Sequence, residues 1–131
     1  MEHLFVYGSL RPDDDSGEAW TASFCSQTSA VGKGRASGFA LYHDTYATAV
    51  HTGDADNAVV GVVLKLTPSL LEEADRIEEY PELYTRTVSY VALEEGGEAL
   101  AWIYIRRRAD VPDTAKLIPS GDWMLRERSA Q

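Results

Sequence analysis

The chain contains a single cysteine, Cys25, among 131 residues. One cysteine cannot close an intrachain disulfide or form a structural zinc site, so a reducing compartment fits best. Long apolar runs are also missing. The longest, around 58–66, is interrupted by Gly61 and Lys65 and falls far short of the roughly 20 residues of a membrane helix. The opening residues lack the basic and apolar segments of a secretory signal. We therefore expect a cytoplasmic protein without a membrane partner.

Basic residues are scarce relative to acidic ones. Lys and Arg number 12 against 21 Asp and Glu, which gives a formal net charge of -9. Such a balance repels phosphate backbones and anionic lipid surfaces. The clusters Arg106–Arg108 and Arg126/Arg128 are exceptions, which we interpret as solvated edges or carboxylate partners rather than a binding stripe. The charge thus predicts that nucleic acid is not a partner.

The apolar residues that are present, 44% of the chain, suffice for one core, and we expect one domain over 1–131. Thr67-Pro68 predicts a helix start, because Thr is a good N-cap and Pro suits the first helical position. Pro81 stops that helix, which we expect from Pro68 to about Glu78. A weaker pattern between Glu18 and Val31 is compatible with another helix. Runs of strand formers predict six strands: Leu4–Tyr7, Ala36–Tyr42, Tyr46–His51, Val59–Leu64, Tyr84–Leu93 and Ala99–Arg107.

Short connections between the strands, with few helices, indicate an α+β fold rather than alternating βαβ units. A small closed or nearly closed barrel would best hide so many strand edges. Within this scheme Gly32-Lys33-Gly34 is expected to break the chain. Gly61, inside the β-branched run, predicts a bulge or a close approach of another backbone.

Glu78 is an acidic residue in an unexpected place. On a helical wheel of about 100° per residue, with Ile77 at zero, the apolar arc is about 120° wide and contains Leu70, Leu71 and Ala74. Glu78 falls near 100°, inside that arc. Burial would raise its pKa, as proton transfer near neutral pH requires. Alternatively, the helix ends before Glu78 and the side chain turns to solvent or binds a backbone N–H.

The segment Tyr7-Gly8-Ser9-Leu10 follows directly on the first strand. A glycine there allows backbone N–H groups to face a ligand, Ser9 adds a hydroxyl, and Tyr7 could serve as a wall or a donor. The alternative is that these residues form an ordinary turn at the end of the strand, without a role in ligand binding. The glycines do not form a dinucleotide or Walker A motif, so a nucleotide cofactor gains no support.

Other candidate chemistries are weaker. His3, His43 and His51 have no metal-ligand spacing, and we interpret them as ordinary histidines. Cys25 lacks a basic or histidine neighbour in sequence, which favours a small core residue over a nucleophile. Ser9 lies outside a G-x-S-x-G elbow, which argues against a serine hydrolase. The three tryptophans, at 20, 102 and 123, are expected in the core.

Two segments together carry a resemblance. Phe5-Val6-Tyr7-Gly8-Ser9-Leu10, and Asp75-Arg-Ile-Glu78-Glu-Tyr80-Pro81-Glu-Leu-Tyr84-Thr-Arg86 some seventy residues later, are similar to the gamma-glutamylcyclotransferase-like family. The resemblance covers nearly the whole chain, including Gly121-Asp122-Trp123. It implies a small mixed β-barrel with one or two flanking helices. It also implies a site without metal or cofactor, and release of 5-oxoproline from small γ-glutamyl compounds.

By position, the resemblance makes Tyr7, Gly8, Ser9 and Leu10 a substrate-holding loop. It makes Glu78 the catalytic acid/base and gives Tyr84 a role in the pocket. The chain departs from the family pattern at two places. Glu79 stands where glycine is common, which changes the charge at the rim, and Tyr46-Ala47 replaces a frequent Tyr-Pro.

Two other readings of the sequence stay open. A binding module with the same fold would hold a small carboxylated metabolite without turning it over. A protein-interaction domain would use the acidic helix face, and its pocket beside Glu78 would be empty or blocked. The sequence identifies neither the leaving group, which variable loops such as 11–20 and 43–57 should read, nor the oligomeric state.

Overall fold

The structure, a computed structural model, describes residues 1–8, 10–12 and 19–126. It contains two helices and eight strands, with short 3₁₀ turns at Arg108–Asp110 and Trp123–Leu125. In chain order the elements are β1 (Glu2–Val6), α1 (Ala19–Ser26), β2 (Ser29–Ser37), β3 (Phe39–His43), β4 (Ala47–His51), β5 (Ala58–Leu66), α2 (Pro68–Ile77), β6 (Thr85–Leu93), β7 (Glu98–Ile105) and β8 (Lys116–Leu117).

Five strands close into a barrel in the order β1-β5-β2-β6-β7, and the other three form a second sheet in the order β4-β3-β8. Strand β1 runs antiparallel to β5 and parallel to β7. The α+β class and the barrel with two helices are confirmed. The expected six strands become eight, because Ala36–Tyr42 is divided between β2 and β3 and because β8 lies in the C-terminal segment, where no strand was expected.

Strand β1 is buried on both faces. Phe5 contributes to one apolar cluster, which joins the barrel to the second sheet, whereas Leu4 and Val6 contribute to another. The second cluster also contains Leu70 and Ala74 of α2. A strand covered on both faces is a continuous apolar run rather than an alternating one. Its end is therefore held rigidly between barrel and helix.

The predicted break at Gly32–Gly34 and the predicted undivided strand Ala36–Tyr42 were wrong, whereas the prediction for Gly61 was right. Gly32 and Gly34 lie within β2 rather than at a break. A Cβ on Gly34 would lie 2.6 Å from the carbonyl oxygen of Ala92, so this glycine permits the close passage of β2 and β6. The expected strand Ala36–Tyr42 is divided at Gly38, whose φ of 88° ends β2 and starts β3. At Gly61 the expected close approach is confirmed, since a Cβ would overlap the carbonyl oxygen of Val6.

Helix α2 begins as the sequence indicates. The Thr67 hydroxyl accepts a hydrogen bond from the Leu70 N–H at 3.1 Å, and Pro68 occupies the first turn. Leu70, Leu71 and Ala74 are buried, as the wheel predicts. The last helical residue is Ile77, one residue earlier than expected. Among the described residues, no helix has the length and apolar character needed to cross a membrane.

The tryptophans only partly follow the expectation that they fill the core. Trp123 is buried and its ring meets that of His43 edge-on. Trp102 is half-buried and donates from Nε1 to Glu2 at 3.0 Å. The side chain of Trp20 lies outside the described residues. The expectation for Trp102 is met only in part, because this half-buried side chain packs against the edge of the second apolar cluster, beside exposed Val88 of β6.

Candidate active site

A cavity of about 200 Å³ lies where β1 ends, α2 ends and β4 begins. Its wall combines apolar and aromatic side chains with two carboxylates. The lining residues are Phe5, Val6, Tyr7, Gly8, Leu10, Tyr46, Ala47, Ile77, Glu78, Glu79, Leu83, Tyr84 and Tyr104. Five of the six residues singled out in the sequence are thus brought together. The sixth, Ser9, lies outside the described residues.

Glu78 is the residue that caps the C-terminal end of α2. Its N–H donates to the carbonyl of Ala74 at 2.9 Å, which keeps the residue in helical register although the helix formally ends at Ile77. The side chain is half-buried and lines the cavity. Burial raises the pKa of Glu78 from 4.5 to about 7. No group among the described residues forms a hydrogen bond or ion pair with this carboxylate.

Tyr7 serves as a wall of the cavity, and its hydroxyl is engaged by backbone. The hydroxyl donates to the carbonyl of Tyr104 at 2.7 Å and accepts from the N–H of Ala49 at 3.1 Å. It thereby ties the end of β1 to β7 and to β4. Burial raises the pKa of Tyr7 well above its ordinary value, so this phenol stays protonated.

Gly8 is required by close packing. A Cβ at this position would lie 2.7 Å from the Cβ of Ala47, which cannot rotate away. The carbonyl of Gly8 accepts from the N–H of Arg11 at 3.0 Å and closes a turn. Leu10, inside that turn, is buried, and its carbonyl accepts from Cys25 Sγ at 3.3 Å. The loop is therefore packed against β4 on one side and α1 on the other.

Tyr84 precedes β6 and is buried against β4. Its hydroxyl donates to the carbonyl of Ala47 at 2.8 Å and lies 3.3 Å from Thr48 Oγ1. Burial raises the pKa of Tyr84 to about 12. Like Tyr7, it acts on the shape of the cavity, because its hydroxyl is engaged by the protein.

A network behind Glu78 was not foreseen from the sequence. Asp75, one helical turn earlier, accepts from the Tyr104 hydroxyl at 2.7 Å and from two nitrogens of Arg86 at 2.9 and 3.1 Å. The Arg86 guanidinium lies 4.3 Å from the centre of the Trp102 ring. The carboxylate of Asp75 raises the pKa of Tyr104, adding to the effect of burial. Asp75 is half-buried because residues distant in the sequence, Tyr104 and Arg86, contact it.

Other arginines around the site are also held by carboxylates. Arg11, fully buried, donates to Asp122 at 2.8 Å. Arg106 lies 3.5 Å from Asp44, and its guanidinium is 6.0 Å from the centre of the Tyr84 ring. Exposed Arg107 pairs with Asp110 at 3.0 Å. These contacts agree with the interpretation of the basic cluster as carboxylate partners.

His, Cys, Asp and Glu side chains of the described ranges do not gather in threes that could hold a metal ion. His51 meets the Phe39 ring edge-on. Cys25 is half-buried beneath the Leu10 turn, and burial raises its pKa. A raised pKa disfavours the thiolate.

The fold is a barrel closed by five strands, and Glu78 at the end of α2 lines the same cavity as Gly8. Residues 4–125 match the family described as gamma-glutamyl cyclotransferase, AIG2-like, and the chain belongs to this family. A Methanocaldococcus jannaschii protein, named as a "putative gamma-glutamylcyclotransferase", is 29% identical over 125 residues, which are 94% of this chain and 96% of that protein.

Solved structures share the fold. An AIG2-like protein from Mus musculus superposes with a TM-score of 0.71 at 22% identity, covering 86% of this chain and 80% of that one. The Escherichia coli protein ytfP gives 0.65 at 25% identity, covering 94% and 96%. An uncharacterized protein from Pyrococcus horikoshii gives 0.67 at 20% identity, covering 94% and 90%.

Proposed function

We propose that the protein is a γ-glutamyl cyclotransferase that releases 5-oxoproline from a small γ-glutamyl amine, amino acid or peptide. Membership of the family supports the reaction class. The observation that carries the assignment of the site is Glu78, a half-buried carboxyl group without a partner among the described residues, lining the same cavity as the Gly8 turn. A carboxyl group with a pKa of about 7 can both accept and donate a proton near neutrality.

The substrate supplies its own nucleophile. The α-amine of the glutamyl unit attacks the γ-carbonyl carbon, a new C–N bond closes a five-membered lactam, and the original amide C–N bond breaks. Such an intramolecular attack needs mainly correct orientation. The α-nitrogen loses two protons on its way from ammonium to lactam N–H, and the departing nitrogen gains two on its way from amide N–H to ammonium, so the atoms balance without a further reactant.

Glu78 carries one proton between the two nitrogens in two steps, whereas the second proton leaves the ring nitrogen to water and the released amine takes its second proton from water. As a carboxylate it takes the proton from the α-ammonium, and as a carboxylic acid it returns that proton to the leaving amine. The backbone N–H groups of the turn from Gly8 to Leu10 hold an oxygen of the glutamyl unit, with Ser9 as an added donor. Tyr7 and Tyr84 shape the cavity so that the substrate folds on itself.

The direct test is Glu78→Gln, which keeps size and polarity and removes the proton carrier. We expect 5-oxoproline release from a panel of γ-glutamyl compounds to fall roughly 10²–10⁴-fold. Thermal unfolding should show a folded protein. Glu72→Gln is the matched control, because Glu72 is exposed on the same helix, away from the cavity. Turnover by Glu78→Gln equal to that of the control would refute the assignment.

A further inference from the structure

Glu79 forms part of the rim of the cavity, next to Glu78. Its side chain is exposed, and none of the described residues forms a hydrogen bond or ion pair with it. Its backbone φ is 54°, a left-handed conformation that costs a non-glycine residue about 1–2 kcal/mol. The chain therefore places a carboxylate without a partner among the described residues at the mouth of the cavity, at a conformational cost.

The charge around the cavity is otherwise negative or balanced. Lysine, arginine and histidine are absent from its described lining, which contains two glutamates. Three arginines next to lining residues, or stacked on them, are engaged by aspartates: Arg11 by Asp122, Arg86 by Asp75, and Arg106 by Asp44. Arg76, in the last turn of α2, is exposed and does not line the cavity. Among the described residues, Glu79 is thus the exposed charged group at the rim of the cavity that has no partner.

The remaining rim offers apolar and aromatic surface. Tyr46 is 63% exposed and Leu83 is 37% exposed, and both line the cavity. An alkyl chain can lie against these side chains, and the face of a tyrosine ring attracts a cation. Aromatic surface beside an unpaired carboxylate suits an alkylammonium group and disfavours a carboxylate.

We propose that Glu79 makes the site select γ-glutamyl amides whose leaving amine carries a second, positively charged end. This inference rests on the proposed function and specifies its substrate class. In it, Glu78 handles the protons of the reaction, whereas Glu79 binds the far end of the leaving group. A leaving group that ends in a carboxylate is repelled by the same residue.

The test uses three γ-glutamyl amides of equal chain length, made from 1,4-diaminobutane, n-pentylamine and 5-aminopentanoate. Their leaving groups end in an ammonium, a methyl and a carboxylate. We expect kcat/KM to decrease in that order, with the ammonium compound ahead of the methyl compound by roughly three- to tenfold, mainly through KM. The preference should shrink at high ionic strength, because the rim is exposed.

Variants at position 79 test whether Glu79 causes the preference for the ammonium compound. Glu79→Gln should bring the ammonium-to-methyl ratio within about twofold of unity, and Glu79→Lys should place the carboxylate compound ahead of the ammonium compound. Because each variant is tested with the same amides, a change in this ratio between variants does not depend on the intrinsic reactivity of each amide. Glu82→Gln, at an exposed residue off the cavity lining, should keep the ratio of the unmodified protein.

The outcomes separate the two proposals. Release of 5-oxoproline from all three amides without an ammonium preference overturns the role of Glu79 and leaves the cyclotransferase function standing. An ammonium preference that persists in Glu79→Gln also overturns that role. Release from none of the three amides, while another γ-glutamyl compound of the panel releases 5-oxoproline, overturns this inference alone; release from no compound of the panel overturns the proposed function as well.

Discussion

At the scale of single residues, the end of α2 holds two carboxylates in opposite ways. Asp75 accepts three hydrogen bonds from Tyr104 and Arg86, so its charge is balanced inside the protein. Glu78, three residues later, is half-buried without a partner among the described residues. Burial without compensation favours the protonated acid. The folded chain therefore binds a proton at Glu78 more tightly than the unfolded chain does.

This difference predicts how stability depends on pH. The pKa of Glu78 is about 7 in the folded protein, against an ordinary 4.5. The contribution of Glu78 to the free energy of unfolding is therefore fully present below about pH 4.5 and is lost as the pH rises to about 7. We expect Glu78→Gln to match the unmodified protein at low pH and to exceed it at pH 8 by up to about 3 kcal/mol. Urea unfolding at several pH values measures the difference.

Glu72→Gln provides the comparison, since it removes one negative charge from the exposed face of the same helix. Its difference from the unmodified protein should not widen across the same interval. If the difference in free energy of unfolding between Glu78→Gln and the unmodified protein stays constant from pH 4.5 to 8, the result would contradict the burial of a carboxyl group without a partner. A variant that is more stable yet inactive is what a functional site held at a cost predicts.

Sequence periodicity could place Glu78 but not its surroundings. The wheel gives a direction from the helix axis, and that direction was enough to put this carboxyl toward the interior. It cannot show what packs on the neighbouring face. Tyr104 and Arg86 approach Asp75 from 29 and 11 residues away, and their contact depends on how the β6–β7 hairpin crosses α2. Short-range sequence patterns do not show how these elements pack against each other.

At the scale of elements, the last turn of α2 is fastened to the hairpin of β6 and β7. The Tyr104 hydroxyl on β7 and Arg86 on β6 meet at Asp75, and the Tyr104 ring lines the cavity. Glu78 is carried by the same helical turn. Under the proposed function, the hairpin acts on catalysis by holding the helical turn that carries Glu78, as a preorganising support.

Tyr104→Phe removes the hydroxyl and keeps the ring. We expect a loss of about 1–2 kcal/mol in the free energy of unfolding, since a hydrogen bond to a charged group is broken. We also expect kcat to fall by roughly tenfold, because small displacements of a catalytic group are costly. KM should change little. Steady-state kinetics and urea unfolding measure the two effects.

A double variant separates positioning from a general structural role. In the Glu78→Gln background, Tyr104→Phe should lower stability by the same amount but cost no further activity. Tyr90→Phe, on the same hairpin with a side chain 65% exposed, is the control and should change neither quantity. A further loss of activity in the double variant would show that Tyr104 acts independently of Glu78.

The helices and strands were largely predictable where they depend on residues within the element itself. The β-branched run of β5 and the Thr67-Pro68 start of α2 have the residues that those structures require. The division of Ala36–Tyr42 at Gly38 was missed, because the contact that accompanies it comes from outside the segment: the Gly38 N–H donates to the backbone carbonyl of Asn57 at 2.8 Å. Gly34 was misinterpreted because close packing and chain breaks favour the same residue.

At the scale of the whole molecule, the loop after β1 is joined to the far end of the chain. Arg11 is 1% exposed and donates to Asp122, which lies 111 residues later and is 20% exposed. Asp122 also accepts from the Met124 N–H at 3.0 Å. The neighbouring Gly121 is held against β5, since its carbonyl accepts from Val60 N–H at 2.8 Å. The C-terminal segment thereby braces the turn that begins at Gly8.

The unequal burial of this ion pair predicts unequal effects of removing its members. Asp122→Asn keeps an oxygen for the Met124 N–H but removes a negative charge 2.8 Å from the buried Arg11 guanidinium, and should cost about 3 kcal/mol in the free energy of unfolding. Arg11→Met leaves a carboxylate that water can reach, and should cost about 1–2 kcal/mol. Both variants should raise KM, because the Gly8 turn loses its brace. Urea unfolding and steady-state kinetics test this order.

The double variant Arg11→Met/Asp122→Asn should be more stable than Asp122→Asn alone, because the buried charge that makes the single variant costly is gone. Asp113→Asn, an exposed change in the same C-terminal segment, should alter neither stability nor KM. If Arg11→Met proves the more damaging single variant, the packing of the Arg11 stem, and not its charge, holds the loop. The contact between position 11 and the C-terminal segment would then be mainly apolar. KM should respond to the size of the side chain at position 11 rather than to the charge at position 122.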